Sequence, residues 1–89
     1  MNFQTLEFSD DFLESLLSKA FSRREQLLFL KAPRQIDIDE RHPSLRIHPL
    51  QGEMEGVWSA SANDELRITF ERLSSGRKRL HTCSRHYRS

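Results

Sequence analysis

Eighty-nine residues, 36% hydrophobic and 30% charged, fit one globular domain rather than a disordered or fibrous chain. A domain of this size buries only about 60–65% of the surface of its unfolded chain, so its core is small. The longest apolar run, Leu27-Leu28-Phe29-Leu30, cannot span a bilayer, and the N-terminal residues lack the pattern of a secretory signal. A lone Cys83 makes no internal disulfide and suits a reducing compartment. The expectation is a cytoplasmic protein, residues 1–89 as a single domain, with no membrane partner.

The net charge of +1 hides an asymmetry. Residues 1–65 carry seven Lys/Arg against twelve Asp/Glu, and residues 66–89 carry seven against one, Glu71. Such a basic block suits a phosphate-bearing or acidic partner, or else blunts an exposed strand edge.

In chain order, residues 2–8 alternate like a strand with Leu6 and Phe8 on one face. Ser9-Asp10-Asp11 caps a helix expected over 10–20, its apolar stripe being Phe12, Leu13, Leu16, Leu17 and Ala20. Ser22-Arg23-Arg24-Glu25 matches a capping box and starts a second helix. Pro33 predicts a kink there, or an end near Ala32 with Arg34–Asp39 as a separate turn or short helix. His42-Pro43-Ser44 stops what precedes it. From Leu45 the period is two. Strands are expected over 45–50 (at an edge or bulge because of Pro49), 57–62, 66–73 and 78–84, with a tight turn at Asn63-Asp64. In the clearest of them Leu66, Ile68 and Phe70 face one way and Arg67, Thr69 and Glu71 the other. Strand, helix, helix and then three to four antiparallel strands define an α+β domain. The helix pair covers one sheet face and leaves the Arg67 face open.

His42, His48, His81 and His86 have no metal-site spacing, and the three scattered glycines read as turns rather than a phosphate loop. Counting alone leaves a Ser/His/Asp triad open, but no nucleophile elbow is present. The remaining constellation is His48, Arg67, His86 and Tyr87, with Trp58 between them. It can cleave RNA without a metal, because the 2′-hydroxyl of RNA is the nucleophile. The protein need supply only a base, an acid and a cation for the phosphate, and histidine suits either proton role. Each residue also has a plainer role: His48 in a turn, Trp58 in packing, Arg67 as a surface cation, His86-Tyr87 as a loose end.

Four short motifs carry a resemblance: His48-Pro49-Leu50-Gln51-Gly52, Gly56-Val57-Trp58-Ser59, Leu66-Arg67-Ile68-Thr69-Phe70 and Cys83-Ser84-Arg85-His86-Tyr87. Their order and spacing resemble the RelE/ParE superfamily of type II toxins, especially the ribosome-dependent mRNA interferases YoeB and YafQ. The resemblance implies a RelE-like fold and an mRNA endoribonuclease without cofactor or metal. It places the general base on His48, the transition-state cation on Arg67, the general acid on His86 and a terminal aromatic on Tyr87. Ser61 stands where YafQ has a second active-site histidine, Glu65 where it has an aspartate, and the lysines of RelE have no equivalents. Trp58, Ser61, Glu65, Arg79, His81 and Arg85 are the implied substrate contacts. The implied partners are mRNA, the ribosome and a cognate antitoxin laid as an acidic segment over the open face. A ParE-like gyrase poison and a degenerate toxin that only binds its antitoxin are the alternatives.

Overall fold

A computed structural model describes residues 3–52 and 56–85. Five strands form one sheet in the order β1-β5-β4-β3-β2: β1 (Leu6–Phe8), β2 (His48–Pro49), β3 (Trp58–Ser61), β4 (Leu66–Arg72) and β5 (Lys78–Arg85). β1 runs parallel to β5, and the other pairs are antiparallel. Two helices, α1 (Asp10–Leu16) and α2 (Arg23–Asp39), lie between β1 and β2 in the chain. The architecture is the expected α+β arrangement, with β1 added as a parallel edge strand.

The sheet alternates as read. Leu66, Ile68 and Phe70 are fully buried, and with Phe12, Phe29, Ile36 and Leu80 they form the core between helices and sheet. Each such aromatic or aliphatic side chain contributes roughly 1.5–3 kcal/mol by leaving water.

Four local readings change. β1 begins only at Leu6, because the amides of Gln4 and Thr5 are taken by the Asp37 carboxylate (2.9 and 2.7 Å). α1 stops at Leu16, whose carbonyl accepts from the Gln26 side-chain amide (3.0 Å), and Leu17 beyond it is 74% exposed. α2 runs unbroken through Pro33. The missing hydrogen bond and the ring clash cost about 3 kcal/mol. Burial of Phe29, Ala32, Pro33 and Ile36 on the sheet-facing side offsets that cost. The expected strand over 45–50 is instead a 3₁₀ turn at Pro43–Leu45 followed by the two residues of β2. Leu45 buries itself under the core, and Arg46 reverses the chain with φ +46°, ψ +44°.

The capping box forms as read: Ser22 Oγ accepts from the Glu25 amide (3.1 Å), and Glu25 Oε1 from the Ser22 amide (3.0 Å). β1 covers β5 only at residues 78–80. Past it, α1 shields the β5 edge with hydroxyls: Ser9 Oγ donates to the His81 carbonyl (3.2 Å), and Ser15 Oγ accepts from the Cys83 amide (2.9 Å).

Candidate active site on the uncovered sheet face

Residues directly opposite one another in a sheet share a face. One row therefore runs His48, Ser59, Thr69 and Thr82 across four strands, and the next is Ser61, Arg67 and Ser84. The Thr69 and Thr82 hydroxyls meet at 2.5 Å. His48 and Arg67 thus lie on the same face, the one turned away from the core. Two strands and two residues separate them, roughly 12 Å between Cα atoms by standard sheet spacings.

His48 is exposed, and its Nδ1 lies 2.8 Å from the Arg46 carbonyl. A carbonyl only accepts, so Nδ1 carries the hydrogen and the Nε2 lone pair of the neutral ring is left outward. The left-handed turn at Arg46 supplies that contact. Arg67 is drawn toward the β3–β4 loop, where Nη1 donates to the carbonyls of Asn63 (2.6 Å) and Leu66 (3.0 Å) and Nη2 to that of Asp64 (3.0 Å). These contacts hold the guanidinium at one corner of the face without neutralising it.

The other expected residues divide between the two sides. Ser61 lies opposite Arg67. Glu65 is in the exposed β3–β4 loop, 3.8 Å from Arg85. Arg79 and His81 are on the uncovered face but at its far end, around Glu71: Arg79 Nη1 is 3.2 Å and His81 Nε2 3.4 Å from the same carboxylate oxygen. A register shift after Thr69 leaves His81 as the extra residue of a bulge and puts it on that side. Trp58 and Arg85 are not brought to this face. Trp58 pairs with Phe70 and Arg85 with Leu66, so both lie on the helix side. Trp58 stacks under Arg72, whose guanidinium carbon is 4.4 Å from the ring centroid. Arg85 grips Glu25 at 2.6 and 2.9 Å and donates to the Ala20 carbonyl. His86 and Tyr87 lie outside the described residues. β5 delivers the chain to the Arg67 corner, since Ser84 is opposite Arg67 and Arg85 opposite Leu66.

The basic block is dispersed in the same way. Arg77 and Arg79 meet Glu7, and Arg79 also meets Glu71. Arg72 and the buried Lys78 share Glu40, and Arg85 takes Glu25. Hydrogen bonds from Arg85 hold the Glu25 carboxyl down at about 2, and those from Arg72 and then Lys78 hold Glu40 down at about 2. Burial works to raise Asp37, but hydrogen bonds from Thr5 and Gln4 outweigh it and lower the group. Burial pushes the Cys83 thiol up to about 11, so it is inert packing. Among the described cations of residues 66–85, Arg67 alone is met by carbonyls and no carboxylate. No His/Cys/Asp/Glu group among the described residues has the geometry of a metal site, and no described helix is long and apolar enough to cross a membrane. Arg72 had no distinguishing spacing in the sequence.

No family model and no curated protein matches this chain. The fold does match solved toxins. The YoeB/ParE toxin from Agrobacterium tumefaciens is similar at a TM-score of 0.71 and 20% identity, covering 94% of this chain and 100% of that one. The toxin–antitoxin complex RelBE2 from Mycobacterium tuberculosis aligns at 0.67 and 15% identity, over 96% and 100% of the two chains. The Escherichia coli DinJ–YafQ toxin–antitoxin complex aligns at 0.64 and 18% identity, over 96% and 94%. The chain therefore has the fold of the RelE/ParE toxins, over nearly its whole length.

Proposed function

We propose that this protein is the toxin of a type II toxin–antitoxin pair and cleaves mRNA on the ribosome by acid/base chemistry. The observation that carries the reading is the common placement of His48 and Arg67 on the sheet face opposite the helices, with the His48 lone pair facing outward. His48 Nε2 takes the proton of the 2′-hydroxyl, whose oxygen attacks the adjacent phosphorus. The bond from phosphorus to the 5′-oxygen breaks as His86 protonates that oxygen, leaving a 2′,3′-cyclic phosphate. Arg67 stabilises the charge that builds on the phosphate oxygens, and Tyr87 is the aromatic next to the acid in sequence. The three protein groups meet the needs of the reaction without a metal. The antitoxin is the second half of the proposal. Two of the solved structures above are toxin–antitoxin complexes, and the exposed Leu17, Leu27 and Ile38 suit a folded-on apolar partner better than a purely acidic one.

The test is induction with and without a candidate antitoxin gene, with mapping of mRNA ends. We expect growth arrest and cut messages, relieved by the antitoxin, and a loss of cleavage of roughly 10²–10⁴-fold in His48→Ala or His86→Ala. Arrest with intact mRNA and inhibited gyrase would replace this reading with the ParE-like one. The three carbonyl contacts of Arg67 favour a second reading, a chain that binds antitoxin but no longer cuts. It predicts tight antitoxin binding with no arrest and no cleavage.

A further inference from the structure

On the helix side of the sheet, a concavity of about 380 Å³ opens between the end of α2, the 3₁₀ turn and the β2–β3 edge. Glu40, Arg41, His42, Arg46, Trp58 and Arg72 line it. The volume is at the lower end of small-ligand sites, about 300–1,000 Å³. Its cations differ from those of the opposite face. Arg41 has no ion pair among the described residues, and Arg46 has only a 3.7 Å contact with Asp64, both partners well exposed. Such a contact contributes little and yields readily to a better anion. Glu40 is already engaged by Arg72 at 2.7 Å and Lys78 at 2.9 Å. His42 Nδ1 accepts from the Ser44 amide (3.2 Å), so in the neutral ring the hydrogen sits on Nε2 as a further donor. The Arg72–Trp58 stack provides a flat π-surface beside these donors. Arg46 holds a left-handed conformation that is uncommon for a residue with a side chain and is kept where the surroundings demand it.

We propose that this concavity binds a nucleotide of single-stranded RNA, its phosphate on Arg41, Arg46 and His42 and its base against the Trp58–Arg72 stack. The strand is the substrate itself. β2 is an edge strand of two residues, with Ile47 lining the concavity and His48 on the far face, so a strand leaving His48 rounds one strand's width to arrive here. A guanidinium pair with an adjacent aromatic is the combination that binds single strands with little regard to sequence. The proposal takes RNA as the partner from the reading above, but it does not require cleavage.

The test uses fluorescence anisotropy of the full chain with uncleavable 2′-O-methyl RNAs of three and eight nucleotides, over a range of salt. The variant Arg41→Ala/Arg46→Gly removes both cations and leaves the left-handed turn relaxed, so the fold is retained. We expect it to weaken the eight-nucleotide RNA roughly tenfold, to lower the salt dependence by about 0.7 in log–log slope (one phosphate contact), and to leave the three-nucleotide RNA unchanged. Trp58→Leu should weaken the longer RNA without changing the slope. Unchanged binding of the eight-nucleotide RNA by the double variant overturns the proposal, as does an equal loss for both lengths. So does a loss confined to a polyglutamate peptide, which would make the site one for an acidic protein. If the unaltered chain leaves mRNA intact on induction while the length-dependent loss is found, the nuclease reading falls and this site stands.

Discussion

At the β1 end of the sheet Arg77 and Arg79 rest against Glu7 and Glu71, and Lys78 is buried against Glu40. At the β2 end Arg41 has no carboxylate among the described residues, and Arg46 has a loose one. The first group is the clustered one in the sequence, and the second is scattered through an acidic half. Folding reverses their availability. The acids of residues 7–40 are carried by β1 and α2 onto the basic strand, and the arginines around the 3₁₀ turn are left over. Charge density along a chain therefore says where cations are made, and the sheet register says which of them can meet a ligand.

Breaking the paired end should have the largest effect. Glu40→Ala strands the charge of Lys78, whose side chain is only 6% exposed. Losing one partner of a buried pair costs about 3–5 kcal/mol, and we expect the lower figure because Glu40 is partly exposed, read as a drop in the urea midpoint. Asp37→Ala removes three hydrogen bonds that hold Gln4 and Thr5 to α2, for about 2 kcal/mol in the same measurement.

Acid should act next. The folded carboxyls of Glu25 and Glu40 hold at about 2 against an ordinary 4.5, so the unfolded chain binds protons more readily. Their contribution is complete above about pH 5 and drains away as pH falls from 4.5 towards 2. Arg85→Gln should flatten the Glu25 share of that slope in melting temperature against pH, and an unchanged slope would show that this pair does not couple to folding. Smallest is Arg79→Ala, an exposed and already paired cation. We expect under about 1 kcal/mol in stability and no change in RNA affinity, in contrast to the Arg41/Arg46 variant.

Much of this is legible in the sequence alone. The capping box at Ser22, the apolar parity of Leu66, Ile68 and Phe70, and the shared face of Arg67 and Thr69 follow from local rules, and local rules survive folding. Trp58 was readable too: it alternates with Ala60, so its parity is that of the apolar face. Arg85 was not. The bulge at His81 shifts parity within β5 and turns Arg85 towards Glu25, and a bulge leaves no mark in composition. Nor was the passage of α2 through Pro33, because propensity weighs one residue while the core weighs four. Arg41 and Arg46 carry no mark in the sequence, because only tertiary pairing distinguishes an unpaired or loosely held arginine from a satisfied one.

The parallel pairing of β1 with β5 joins Leu6 to Lys78, near opposite ends of the chain. A contact of such long range is expected to form after the antiparallel β3–β4–β5 hairpins have closed on their short turns, because its loop closure costs more entropy. Arg77 donates to the Gln4 and Leu6 carbonyls across the same long-range pairing. Late contacts set how fast a protein comes apart more than how fast it forms. Replacing Leu6 by alanine should therefore speed unfolding in stopped-flow experiments and leave refolding nearly unchanged. The first strand would then act as a latch, and the lifetime of the sheet that presents His48 and Arg67 would be governed by residues on neither of the strands that carry them.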